Sequence, residues 1–66
     1  MNIRKSIRAV MYKLDINQSE LASRAELSIS TLSFLMNGKR MPSGDSLERL
    51  AGVGGMTVSE FLAAGE

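Results

Sequence analysis

The stretch NQSELASRAELSISTLSFLMNGKRMPS, from Asn17 to Ser43, holds two short amphipathic helices, the turn between them and a basic loop. Asn17 is a good N-cap, and Glu20 three residues later comes close to completing a capping box. The first helix then covers Gln18 to Ala25, with Leu21, Ala22 and Ala25 as a narrow apolar stripe. Alanines on that stripe suit two helices that cross at close range. Glu26 and Leu27 make the turn. Ser28 is the next N-cap, so the second helix starts at Ile29 and runs to Met36. Leu32 and Leu35 fall on its inner side, with Leu27 beside them. Ile29, Ser30, Ser33 and Phe34 are left on the outer side. Asn37-Gly38-Lys39-Arg40 ends the helix, with Gly38 or Asn37 suited to a left-handed C-cap.

A helix pair of this form, over about residues 18–36, reads as a helix-turn-helix, whose second helix lies in the DNA major groove. The remaining residues read as scaffold for it. Upstream, Ile3, Ile7, Val10 and Leu14 recur at helical spacing, and Met11 widens the stripe, which predicts a helix from roughly Asn2 to Leu14. Its opposite face is expected to carry the basic residues and Ser6. Downstream of Pro42, Ser43 or Asp45 caps a fourth helix with Leu47, Leu50 and Ala51 inward. Gly52, Gly54 and Gly55 weaken its end, since each helical glycine costs about 1 kcal/mol relative to alanine. Thr57-Val58-Ser59-Glu60 is a second capping box, followed by Val58, Phe61 and Leu62 on one side of a short fifth helix. Phe61 is expected in the core, and Met56 and Val58 in a patch joining two subunits.

Composition bounds the alternatives. Sixty-six residues make one small domain, without cysteine or histidine for a disulfide framework or a zinc site. No cofactor is expected. No apolar run is long enough to span a bilayer and no signal peptide is evident, so the expected location is cytoplasmic, with no membrane partner. The formal net charge is only +1, but its distribution is uneven. Arg4, Lys5, Arg8 and Lys13 stand in the first segment without an acid among them, and Lys39 and Arg40 follow the second helix of the pair. Asp45, Glu48, Glu60 and Glu66 gather in the last third against Arg49 alone, which gives the chain an oriented field.

Together these residues resemble the lambda-repressor-like family, which includes phage Cro proteins and repressors. The similarity runs without a gap from about Ile7 to Leu62. It is carried by Gln18-Ser19-Glu20-Leu21-Ala22, by Leu27-Ser28 with Ser30-Thr31-Leu32-Ser33, by Asn37-Gly38-Lys39-Arg40 with Pro42-Ser43, and by Val58-Ser59-Glu60-Phe61-Leu62. The resemblance implies an all-α, compact five-helix domain that usually acts as a dimer on a two-fold operator in double-stranded DNA. It implies that Gln18 contacts phosphate, helped by backbone N–H groups at a helix N-terminus. It sets Ser28, Ile29, Ser30, Ser33 and Phe34 at groove-facing positions, and Asn37, Lys39 and Arg40 in a loop that clamps the sugar-phosphate backbone. Such phosphate contacts position a protein without reading sequence.

Three departures from the family pattern stand out. Glu26 occupies a turn position that is commonly glycine because the backbone there is left-handed. Met11 and Met36 stand where many members pair an arginine with a glutamate, so the two are expected to touch through thioether packing. Between Ser28 and Met36 there is no Arg, Lys, Gln or Asn, the usual readers of guanine and adenine. Serine hydroxyls, Ile29 and Phe34 remain, which points to thymine methyl groups and to indirect readout of DNA shape.

The leading expectation is therefore a sequence-specific regulator, most simply a Cro-type repressor with no small-molecule substrate. The chain is too short to add a ligand-sensing domain. The runner-up is an antitoxin or adaptor on the same fold, using the apolar outer face for protein. An enzyme is disfavoured: no nucleophile–base set, carboxylate pair or phosphate loop is evident.

Overall fold

The computed structural model describes residues 2–66, and within them five helices follow one another in the order the sequence predicts. They are α1 (Ile3–Leu14), α2 (Gln18–Arg24), α3 (Ile29–Met36), α4 (Gly44–Val53) and α5 (Val58–Ala63). Each starts at a side chain that accepts from the amide three residues on: Asn2, Asn17, Ser28, Ser43 and Thr57. Ser43, rather than Asp45, caps α4. At Thr57 the capping box is reciprocal, because the Glu60 carboxylate also accepts from the Thr57 amide at 2.9 Å.

Four helix ends close in one way. A left-handed residue (Asp15, Glu26, Gly38 or Gly55, with φ of 54, 57, 72 and 69°) reverses the chain. The residue after it then donates to a carbonyl five positions back: Ile16 to Met11, Leu27 to Ala22, Lys39 to Phe34 and Met56 to Ala51. This Schellman geometry satisfies orphan carbonyls and turns the chain sharply enough for short helices to pack. The expected left-handed backbone at Glu26 is present, and of the two residues considered for the end of α3 it is Gly38 that adopts it.

α1 packs against α3, α4 and α5, while α2 packs against α3 and α4. The shared core is Ile7, Val10, Leu21, Ala22, Ala25, Leu32, Leu35, Leu50, Ala51 and Phe61, all of them on apolar stripes read from the sequence. Met11, Leu27, Met36, Leu47, Met56 and Val58 are partly buried around it. Met11 and Met36 thus lie on two helices that pack together, and Met56 and Val58 contribute to the monomer's own core.

Three residues depart from the sequence expectation. Ser6, assigned to the polar face of α1, is fully buried, and its hydroxyl has no partner. Position 6 lies three residues after Ile3 and four before Val10, which sets it on the inner stripe whatever its chemistry. Gly65 closes over it; a Cβ there would collide with the Ser6 hydroxyl and the Asn2 carbonyl. Lys13 does not only decorate a basic face: its Nζ donates to the Gly54 carbonyl at 2.8 Å and ties α1 to the end of α4. Gly54 does more than weaken that end, because an added Cβ would meet Met56 Cε at 2.7 Å and Val10 Cγ2 at 3.2 Å.

Candidate nucleic-acid interface

The inner and outer sides of α3 divide as its sequence dictates. Leu32 and Leu35 are buried against α1 and α2, while Ile29 is 58% and Phe34 41% exposed. Ser28 and Ser30 are exposed and Ser33 half-buried. Ser28, Ile29, Ser30, Ser33 and Phe34 therefore belong to one outward surface, with Asn37 continuing it one turn on. The Ser28 hydroxyl is already engaged: it accepts from the Thr31 amide at 3.0 Å and donates to the Thr31 hydroxyl at 2.7 Å. Ser30 has the freer hydroxyl. Ser33 accepts a 3.4 Å bond from the Asn37 side-chain amide.

α2 braces this helix from behind. Leu21, Ala22 and Ala25 are buried, and the turn through Glu26 fixes the angle between the two helices. Arg49 of α4 holds that turn, donating from Nη1 to the Glu26 carbonyl at 3.1 Å. Gln18 is half-buried in the first turn of α2, where Asn17 caps by accepting from the Glu20 amide at 2.8 Å.

The loop after α3 brings Arg40 onto the same side. The Gly38 reversal and the 2.9 Å bond from the Lys39 amide to the Phe34 carbonyl fold the chain back over the helix end. Asn37, Lys39 and Arg40 are exposed. The Arg40 guanidinium lies 5.7 Å from the centroid of the Phe34 ring, within the range of a cation–π contact. Nothing in the sequence hints at this pair beyond a six-residue spacing across a glycine. Beside it, an open groove of ≈ 350 Å³ is lined by Arg4, Met36, Asn37, Arg40 and Met41 among others, so the first turn of α1 adds a cation to the patch. Among the described residues the ion pairs are Arg24–Glu20 at 3.2 Å and Arg49–Asp45 at 3.0 Å, and neither uses Arg4, Lys39 or Arg40.

The arrangement presents a convex helix edge of apolar and hydroxyl groups, with free cations at one end. It offers no cluster of metal-ligating side chains among the described residues. Among the described residues no helix is long and apolar enough to cross a membrane. A protein-family model described as helix-turn-helix matches residues 5–61, from within α1 to within α5. The chain has no significant match among curated proteins. The helix-turn-helix family match spans most of the chain and reaches every helix of the fold: the chain belongs to the lambda-repressor-like helix-turn-helix family, whose domains bind double-stranded DNA in transcription regulators.

Proposed function

We propose that this protein is a sequence-specific repressor of the Cro type, acting as a homodimer on a two-fold operator. The observation that carries the reading is the exposed outer side of α3, with Ile29 58% and Phe34 41% exposed and, at its end, cations that no ion pair among the described residues engages. An α-helix edge of this width enters the major groove, where Ile29 and Phe34 can meet thymine methyl groups and Ser30 can bond to any base edge. Ser28, with one remaining acceptor site, and Ser33 supplement it. Gln18 on one flank and Asn37, Lys39 and Arg40 on the other grip the sugar-phosphate backbone and set the register. With so few specific readers in the helix itself, DNA shape contributes to recognition. Occupancy of the operator excludes polymerase.

Two copies present their α3 helices about 34 Å apart, one turn of B-DNA. Met56 and Val58 are proposed at the edge of the surface that joins them, since both are only partly covered within one subunit. The test is selection of bound duplexes from a random pool at moderate salt. A palindromic sequence with half-sites one helical turn apart is the expected outcome. Recovery of no preferred sequence, with binding insensitive to salt, would favour the adaptor reading, in which exposed Ile29, Phe34 and Met41 meet a protein.

A further inference from the structure

We propose that Arg40, held against Phe34, reads a guanine base edge, so that the specificity missing from the recognition helix is supplied by the loop behind it. The inference rests on the DNA-binding reading above and changes one assignment in it, taking Arg40 from the phosphates to the bases. Three observations carry it. The helix offers no Arg, Lys, Gln or Asn between Ser28 and Met36, so its own face lacks a donor fork. The Arg40 guanidinium sits 5.7 Å from the Phe34 ring centroid, and Phe34 belongs to the outward face of α3. Among the described residues, no ion pair engages that guanidinium.

The local backbone explains how a loop residue reaches the helix face. Gly38 reverses the chain, and the Lys39 amide is bonded to the Phe34 carbonyl, which returns residue 40 over residue 34. Contact with the ring face restrains where the guanidinium sits, and among the described residues no ion pair occupies its N–H groups. A planar fork of that kind matches guanine O6 and N7 in the major groove. A phosphate clamp needs no such restraint, because a phosphate accepts from many directions. The ring also presents apolar surface beside the fork, suited to the C5-methyl of a thymine adjacent to the guanine. Phe34 is thus a positioning residue for Arg40 as well as a contact of its own.

Selection from a random duplex pool by the wild type and by Arg40→Ala, Arg40→Lys, Phe34→Ala and Phe34→Tyr tests this, with thermal melts showing that each variant folds. The wild type is expected to enrich one guanine per half-site. Arg40→Ala and Arg40→Lys should lose discrimination at that position by roughly ten- to hundredfold and keep the rest of the site. Phe34→Ala should relax the same guanine, and Phe34→Tyr, which keeps the ring face, should restore it. A uniform loss of affinity in Arg40→Ala, with a shallower salt dependence and an unchanged site, would assign Arg40 to a phosphate and overturn the inference while leaving the repressor reading intact. Retention of the guanine in Phe34→Ala would overturn the positioning role. A wild type that enriches nothing would remove the DNA reading itself and this inference with it.

Discussion

The Arg49 guanidinium donates to the main-chain carbonyl of Glu26 at 3.1 Å, so a residue of α4 holds the turn that sets α3 against α2. Its Nη2 pairs with the Asp45 carboxylate at 3.0 Å. The clamp falls on a strained point, because Glu26 adopts a left-handed conformation that costs a residue with a Cβ about 1–2 kcal/mol.

Glu26→Gly is therefore expected to stabilise the fold by about 1 kcal/mol, which in a domain of this size raises Tm by about 4–8 °C. Arg49→Ala should act the other way by about 0.5–1 kcal/mol, since the bond it removes is partly exposed. Thermal melts of the two variants decide the matter. A Tm for Glu26→Gly at or below the wild-type value would count against strain at the turn.

Ser6 carries a buried hydroxyl without a partner at a position where only packing is needed. Ser6→Ala removes an unpaired polar atom and adds helix propensity, so a gain of about 1–2 kcal/mol is expected in urea unfolding. A destabilised Ser6→Ala would show that the hydroxyl is satisfied in solution.

These two sites mark the boundary of what the chain discloses before it folds. The caps at Asn17, Ser28 and Thr57 were legible because a cap depends on residues three positions apart. The buried leucines, alanines and Phe61 were legible from period alone. Ser6 defeats such a reading because its polarity points to solvent while its angular position points to the core. Its cover, Gly65, comes from the other end of the sequence. The Arg49–Glu26 and Lys13–Gly54 bonds join residues 23 and 41 positions apart, and nothing local encodes such a meeting. Of the candidate interface, the outward set on α3 followed from helical geometry. The Phe34–Arg40 pair did not, because it needs the chain reversal at Gly38 before the two side chains can approach.

Glu60 gives the fold a defined response to acid. Its carboxyl is held below the usual glutamate range by the Thr57 backbone amide first, then by the Thr57 hydroxyl, with a smaller contribution from Lys13. A carboxyl depressed in the folded state contributes stability that is present above its ordinary, unfolded pKa and is lost as pH falls through the lower folded value. Unfolding measured across that window should therefore show an acid-side decline for the wild type. Glu60→Gln should be less stable at neutral pH, and the gap should narrow as the solution is acidified. A gap that stayed constant with pH would remove the charged capping box from the account.

On DNA, the loop cation Lys39 should behave as a phosphate contact. Lys39→Ala is expected to weaken binding to every sequence alike and to reduce the slope of log affinity against log salt by about one. An altered sequence preference with an unchanged slope would place Lys39 at a base instead.

The most direct measurement follows the backbone amide resonances of this small domain during titration with its selected duplex, with a scrambled duplex as control. The account predicts that shifts concentrate at Gln18, from Ser28 to Phe34 and from Asn37 to Arg40, while Tyr12, which is 90% exposed on α1, and Glu48 on α4 stay unmoved. Shifts centred on α1 or α4, with the outward residues of α3 silent, would contradict it.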